Sequence, residues 1–423
     1  MRRYGMVLVA FLLLALPAPA LAAIGDENAD PGDETGSWYG YVEDAVLLSF
    51  AEGFPAAAAR RAFAAANGLE EVSFTPLSHF FRFRITDGQP PDRVVEALRS
   101  NPAIALVTKI ARGRWDYVPP DPLYVNQWYL PKVRMPQAWD LAAGGSTSYI
   151  ALVDSGVQTS PSNHPDLGVI AGKNFVTGTS NVNDVYGHGT RVAGIMAAFT
   201  GATNGSIGIA GINYAAPILV AKIGDSAPDI DAAAAGIEYA VQRGASAINA
   251  SFGFRGLSSS EREVLRQAVV AAWNAGQPVV AAAGNDGTSF VGLYPAAFTK
   301  VITVGASTKS DVRWVYSNYG DASVPLYPNL VAPGVEMCTT KTASGYDCAP
   351  GPDGTSFAAP MVTGTIGLMR KLYPGIGSLA IVDRLEDSAD HVGGYSYTGS
   401  LCDGRGISVY MGCGRLDAYG AIN

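Results

Sequence analysis

Charge is scarce in this chain. Of its 423 residues, 16% are Asp, Glu, Lys or Arg, while 48% are hydrophobic. That balance excludes a disordered polymer and supplies apolar surface for a large core. No basic tract occurs and the formal net charge is −8, so nucleic acid is not an expected partner. Histidine is rare: His79, His164, His188 and His391 are the only four. Cysteine is equally rare, and Cys338, Cys348, Cys402 and Cys413 all lie late in the chain. No cysteine or histidine stands at zinc-like spacing, which argues against a metal site of that kind. Four cysteines allow three pairings. Cys338–Cys348 and Cys402–Cys413 are favoured, because each would close a short loop; the alternative is four reduced thiols. There are no internal repeats, and beyond the first residues no segment reads as a transmembrane helix. Glycine, by contrast, is abundant at 49 residues, which suits tight turns and close backbone approach.

The first residues supply a compartment. Arg2 and Arg3 precede an apolar run from Met6 to Leu16, and Ala20-Leu21-Ala22 closes the stretch. A positive start, a short apolar centre and an Ala-x-Ala end make a secretory signal peptide over residues 1–22. Export to the periplasm or outside makes disulfides chemically reasonable. No membrane association is expected after cleavage.

Residues 23–37 are acidic and Gly-rich and read as a flexible leader. From there the chain alternates strand-like and helix-like runs. Ala45–Phe50, Glu71–Thr75, Phe80–Ile85 and Ile104–Ile110 are strand-like, and Ala56–Ala66 and Asp92–Arg99 are helix-like. The order is βαββαβ, a small α+β ferredoxin-like module over residues 38–112. Arg112, Gly113, Arg114, Pro119 and Pro120 break the pattern, and a second domain is read over residues 113–423. There Tyr149–Val153, Ile218–Ile223, Ala247–Ala250, Val279–Ala283 and Val301–Val304 are short apolar runs between helices. Such runs predict an α/β fold: a mostly parallel sheet with helices on both faces.

Four stretches carry possible chemistry. Ile150–Val153 is an apolar run ending in Asp154-Ser155-Gly156, a carboxylate where open α/β sheets place their sites. His188 stands between Gly187 and Gly189, before a helix-like run. Asn285 follows Gly284 at the end of another strand; it either favours a left-handed turn or aims its amide at a developing oxyanion. Ser356, in Gly354-Thr355-Ser356-Phe357-Ala358-Ala359-Pro360, precedes an apolar helix-like run to Met369. By itself it reads as a helix cap. Serine is a poor nucleophile without an adjacent base, histidine fits as that base, and a buried aspartate would fix the imidazole. No Gly-x-Ser-x-Gly pentad occurs, which excludes a lipase-like nucleophile turn.

These stretches, in this order, resemble the signature stretches of the subtilisin-like serine proteases, from about residue 120 to the C-terminus. The resemblance implies an endopeptidase with Asp154, His188 and Ser356 as triad, Asn285 in the oxyanion hole, and no cofactor for catalysis. It implies that Ser251, Phe252 and Gly253 line the specificity pocket. Ser226–Ile230, with Ala227, would form the opposite edge strand, and Leu293 would lie near the pocket floor. Phe254 stands where many relatives have glycine and is expected to narrow the pocket. With no carboxylate in 290–295, an apolar or aromatic residue is expected before the cut. The front module resembles the inhibitory propeptide of such enzymes, removed autocatalytically near Ile110–Trp115. Asp121, Asp166 and Asn204 resemble parts of a structural calcium site. The competing reading is a catalytically silent or permanently inhibited relative acting as a binding protein, against which the intact residue types argue.

Overall fold

A computed structural model describes residues 41–51, 56–75, 79–111, 117–145, 148–201, 207–289, 292–321 and 328–423. The expected signal peptide and leader, most of the Ile110–Trp115 segment and Asn204 lie outside the described residues. The chain divides into two compact units, Met1–Trp115 and Asp116–Asn423, against a sequence-based boundary at 112/113.

The first unit runs β1 (Tyr41–Phe50), α1 (Ala57–Ala66), β2 (Leu69–Thr75), β3 (Phe80–Ile85), α2 (Pro91–Arg99) and β4 (Ile104–Ala111). Its strands pair antiparallel in the order β2-β3-β1-β4. Alternate residues Val46 and Leu48 of β1, with Phe81, Phe83 and Ile85 of β3, meet Val94 and Leu98 of α2 in one core. Helix α2 begins with Pro91 and carries Asp92 in its first turn and Arg99 in its last. Both charges oppose the helix dipole.

The second unit opens with α3 (Tyr129–Lys132) and α4 (Met135–Leu141), then β5 (Ile150–Asp154), β6 (Val169–Asn174), α5 (His188–Ala197), β7 (Ile218–Lys222), α6 (Ile230–Gln242), β8 (Ala247–Ala250), α7 (Ser259–Asn274), β9 (Val279–Ala282), β10 (Val301–Ser307) and β11 (Leu330–Pro333). A short hairpin follows, β12 (Thr339–Lys341) and β13 (Gly345–Asp347), then α8 (Thr355–Leu372), α9 (Ser378–Asp387) and α10 (Ala418–Ile422). Seven parallel strands form one sheet in the order β11-β10-β9-β8-β5-β7-β6.

Period-two alternation assigns each strand's side chains to two cores. Ile150 and Leu152 of β5 face one way and join α5 and α8 residues such as Ile195 and Val362. Ala151 and Val153 face the other way, toward Ala233 of α6 and Leu265 of α7. Helix α7 is started by a capping box: Ser258 accepts from the Glu261 N–H, and Glu261 reaches back to Ser258.

Both cysteine pairs are bonded as favoured, Cys338–Cys348 and Cys402–Cys413. The first closes the β12–β13 hairpin, which packs against α5. Among the described residues no helix is long and apolar enough to cross a membrane.

One expected element is corrected. Ser226–Ile230 is not an edge strand: Gly224 bridges to Pro228, the Asp229 N–H donates to the Ile223 carbonyl (2.8 Å), and α6 already starts at Ile230. Pro228 has no N–H to give a ladder, so the segment closes on itself as a turn.

Candidate active site

Parallel strands all end on the same side of a sheet, and two of the singled-out residues, Asp154 and Asn285, sit at or just beyond such ends. Asp154 is the last residue of β5 and is buried. His188 is the first residue of α5, after Gly187 in a left-handed conformation (φ +92°). Asn285 lies three residues beyond β9. Helix α5 can start this close to β5 only because residue 189 is glycine. A Cβ there would lie 2.1 Å from the Gly156 carbonyl and 3.1 Å from the Asp154 carboxylate.

The His188 Nδ1 atom lies 2.7 Å from Asp154 Oδ1. A carboxylate can only accept, so the proton belongs on Nδ1 and Nε2 is left as an acceptor. Burial pushes the imidazole pKa down. The Asp154 charge and hydrogen bond, aided by Asp184, outweigh both burial and the opposing Arg191 charge, so the group sits above the ordinary histidine value. Asp184 is the brace of this turn. Its buried carboxylate accepts from Ser155 Oγ (2.9 Å), the Gly187 N–H (2.7 Å), and the Thr190 N–H (2.8 Å) and hydroxyl (2.7 Å). Sequence reading gave Asp184 no role. Its position four residues before the histidine, at the head of a Gly-rich turn, was the available signal.

Ser356 corrects the capping reading. The helix cap is Gly354, which makes no side-chain cap bond, and Ser356 is the second residue of α8. Among the described residues its backbone N–H meets no acceptor, as expected in a first helical turn. Four residues on, Pro360 lacks the N–H that would bond the Ser356 carbonyl. That carbonyl accepts from Ser251 Oγ instead (2.8 Å), and the Ser356 hydroxyl donates to the Ser251 carbonyl (3.2 Å). Asn249 Nδ2 donates to Ser251 Oγ (2.9 Å), and Thr363 of α8 donates to Asn249 Oδ1 (3.1 Å). The proline in the motif thus ties the serine to the segment that directly follows β8. There is no Ser356–His188 hydrogen bond. The two side chains face a common cavity of about 660 Å³ with Asn285.

Asn285 does not take the left-handed turn; its neighbours Gly284 (φ +99°) and Gly287 (φ +64°) do. Its Oδ1 accepts from the Thr355 N–H (3.0 Å) and hydroxyl (2.7 Å). The amide is thereby oriented, and Nδ2 has no protein acceptor among the described residues. Thr355 and Asn318 are supports that sequence reading missed. Asn318 braces the 284–288 turn by accepting from the Asp286 N–H (3.0 Å) and donating to the Ala283 carbonyl (3.0 Å).

Two further cavities, each about 220 Å³, continue the cleft. Ser251, Phe252 and Gly253 line both; Ala227 lines the one beside His188 and Leu293 the one beside Ser356 and Asn285. A histidine acceptor on a buried carboxylate, a helix-start hydroxyl and an oriented amide, around one groove on a parallel sheet, are the parts of acyl transfer by serine.

Comparison with known proteins agrees. A model of the Subtilase family matches residues 145–403. The chain belongs to the subtilase family. Thermitase of Thermoactinomyces vulgaris is 38% identical over 72% of this chain and 99% of its own length. A thermophilic serine proteinase of Bacillus sp. strain AK1 is 33% identical over 90% of this chain and 88% of its own. Among solved structures, a protease from Pseudoalteromonas arctica PAMC 21717 superposes with a TM-score of 0.60 at 25% identity, covering 72% of this chain and 99% of that one. This subtilase is a serine endopeptidase.

Proposed function

We propose that this subtilase is exported, matures by removing its own first unit, and hydrolyses polypeptides through an acyl-enzyme formed on Ser356. The observation that carries the reading is the Asp154–His188 hydrogen bond facing Ser356 and the free amide N–H₂ of Asn285 across one cavity. Ser356 Oγ attacks the peptide carbonyl while its proton passes to His188 Nε2. The oxyanion is held by Asn285 Nδ2 and the Ser356 N–H, near the positive end of α8. His188 returns the proton to the leaving amine, and water then repeats the sequence on the acyl group. The βαββαβ unit of residues 38–112 serves as an intramolecular inhibitor until cut. The 1–22 signal and the two disulfides support export. The test is incubation of purified chain with casein and with a fluorophosphonate probe. Casein cleavage with the probe on Ser356 is expected; a chain that does neither overturns the reading.

The base must be neutral to accept the serine proton. Because the folded-state pKa of His188 lies above the ordinary 6.5, kcat/KM falls tenfold per pH unit below a midpoint above 6.5. Asp154→Asn removes the charge that raises it and moves the midpoint down. A wild-type midpoint below 6.5 contradicts this assignment.

A structural calcium fits the buried carboxylates. Asp121 Oδ1 is buried with no hydrogen-bond partner, and burial pushes the carboxyl pKa up. Asp166 is fully buried, and its Oδ2 accepts from the Ile209 N–H (3.1 Å) and the Tyr346 hydroxyl (3.2 Å). Among the described residues no group of three or more His, Cys, Asp or Glu could hold a metal. Carbonyl oxygens would therefore complete the shell around Asp121, Asp166 and Asn204, as calcium accepts. Calcium at 100 times its Kd would add about 2.7 kcal/mol. Chelation is expected to lower Tm by about 5–10 °C, and Asp121→Asn to abolish that difference. An unchanged Tm excludes the site.

A further inference from the structure

We infer that Lys222 is a positioning residue for catalysis: its buried ammonium holds the turn that presents His188. The inference rests on the acyl-transfer reading of Ser356. Lys222 is the last residue of β7 and the register partner of Asp154, the last residue of β5. Side chains alternate along a strand, so Lys222 faces the same way as Ile218 and Val220, toward the core shared with α5. A buried cation is costly unless it is paired and hydrogen-bonded. The Lys222 side chain is only 7% exposed, and its Nζ meets two oxygens. It donates to the Asn183 carbonyl (2.6 Å) and pairs with Asp225, three residues on.

The Asn183 carbonyl needs that donor. Residues 182–184 run parallel to the segment just after Asp154: the Val157 N–H donates to the Val182 carbonyl (3.0 Å), and the Asp184 N–H to the Val157 carbonyl (3.1 Å). In this pairing residue 183 turns its own N–H and carbonyl away from Val157. The N–H donates to Asn181 Oδ1 (3.0 Å). The carbonyl has no backbone donor among the described residues, and the lysine supplies one. The bond is charge-assisted, which makes it stronger than a neutral one.

One residue further on, Asp184 accepts from Ser155, Gly187 and Thr190 and so braces the turn that ends at His188. Lys222 thus fixes the start of that turn to the end of β7, while Asp154, beside it in the sheet, receives the His188 ring at the far end. Both ends of the turn are referred to two adjacent strands of one sheet. A shift at Asn183 passes through Asp184 to the imidazole. Asp225 lines the cavity beside His188, so its ion pair has to be separated from the carbonyl bond by experiment.

The test is the rate at which a fluorophosphonate labels Ser356, with kcat and KM on one peptide substrate. Labelling needs the serine, its base and the oxyanion donors. A lysine that served stability alone would lower the labelled fraction and leave the rate per labelled site unchanged. Lys222→Met is expected to lower that rate and kcat by about 10–100-fold, the scale of a small misplacement of a reacting group, with KM changed less than about threefold. Lys222→Arg keeps a cationic donor and should restore most of the loss. Asp225→Asn keeps the ammonium and removes only the ion pair, so an equal loss in Asp225→Asn and Lys222→Met overturns the proposal. A Lys222→Met enzyme labelled at the wild-type rate, or Lys222→Arg no better than Lys222→Met, overturns it too. If Lys222→Met does not fold, Lys222→Gln replaces it: its amide stops one atom short of the ammonium, and the same fall is expected. If neither folds, the lysine serves stability and the proposal is wrong. Wild type left unlabelled on Ser356 would sink the acyl-transfer reading instead.

Discussion

Ser356→Ala should abolish turnover and leave the precursor uncut. Expected is a fall in kcat of about 10⁶-fold, a figure borrowed from a triad enzyme of the same family rather than obtained from these distances. The substitution removes one oxygen. Its hydroxyl makes a single bond, to the Ser251 carbonyl, while the bonds that place the residue run through its own carbonyl. Folding should therefore be little changed, and thermal denaturation of the variant checks this. Wild-type protein, followed by mass spectrometry, should acquire a new N-terminus between residues 105 and 121. The variant should keep its front unit under the same conditions. A variant that still matures and still digests casein would remove Ser356 from the chemistry. A wild-type start elsewhere would move the domain boundary.

The sheet was legible where strands are central and harder to see at its edges. Ala247–Ala250, flanked by β5 and β9, was read with its bounds intact, because a central strand is apolar on both faces. The two missed strands, Val169–Asn174 and Leu330–Pro333, are the outermost of the seven. The strand β6 lies at the sheet edge and tolerates Gly172, Lys173 and Asn174, while β11 is only four residues long and ends in Pro333. Neither leaves a long apolar run. Ser226–Ile230 failed for a related reason: a family resemblance suggested a strand, and Pro228 made it a turn.

Within the site, residues at strand ends and Gly-bracketed turns announced themselves locally. Their supports did not. Thr355 and Asn285 are 70 positions apart, and Ser251 and Ser356 are 105 apart. Such bonds exist only once the sheet has brought β8, β9 and α8 together. The proline of the Ser356 motif illustrates the gap. Sequence shows a helix interrupted by Pro360; only the fold shows which carbonyl it frees and which hydroxyl claims it. Leu293 is similar. The resemblance placed it near a pocket, and only the fold brings its two methyls against both Gly253 and Gly284.

Asn285 should act on kcat and hardly on KM. Among the described residues Nδ2 has no protein acceptor in the unreacted enzyme, so its deletion costs the ground state little. Charge develops on the substrate oxygen only in the transition state, and a donor already aimed there needs no reorganisation. Asn285→Ala is expected to lower kcat by about 10²–10³-fold with KM changed less than threefold. The orientation argument gives a sharper pair of outcomes. Asn285→Asp keeps an oxygen for the Thr355 N–H and hydroxyl, so the turn retains its brace. It also puts a carboxylate where the oxyanion must form. Asp should therefore be worse than Ala in kcat although it preserves more of the native hydrogen bonds. If Asn285 served only to shape the turn, the order would reverse: Asp would be close to wild type and Ala would lose thermal stability first. Steady-state kinetics on the two variants beside their melting curves separates these cases. A fully active Asn285→Asp enzyme would take the amide out of the oxyanion site.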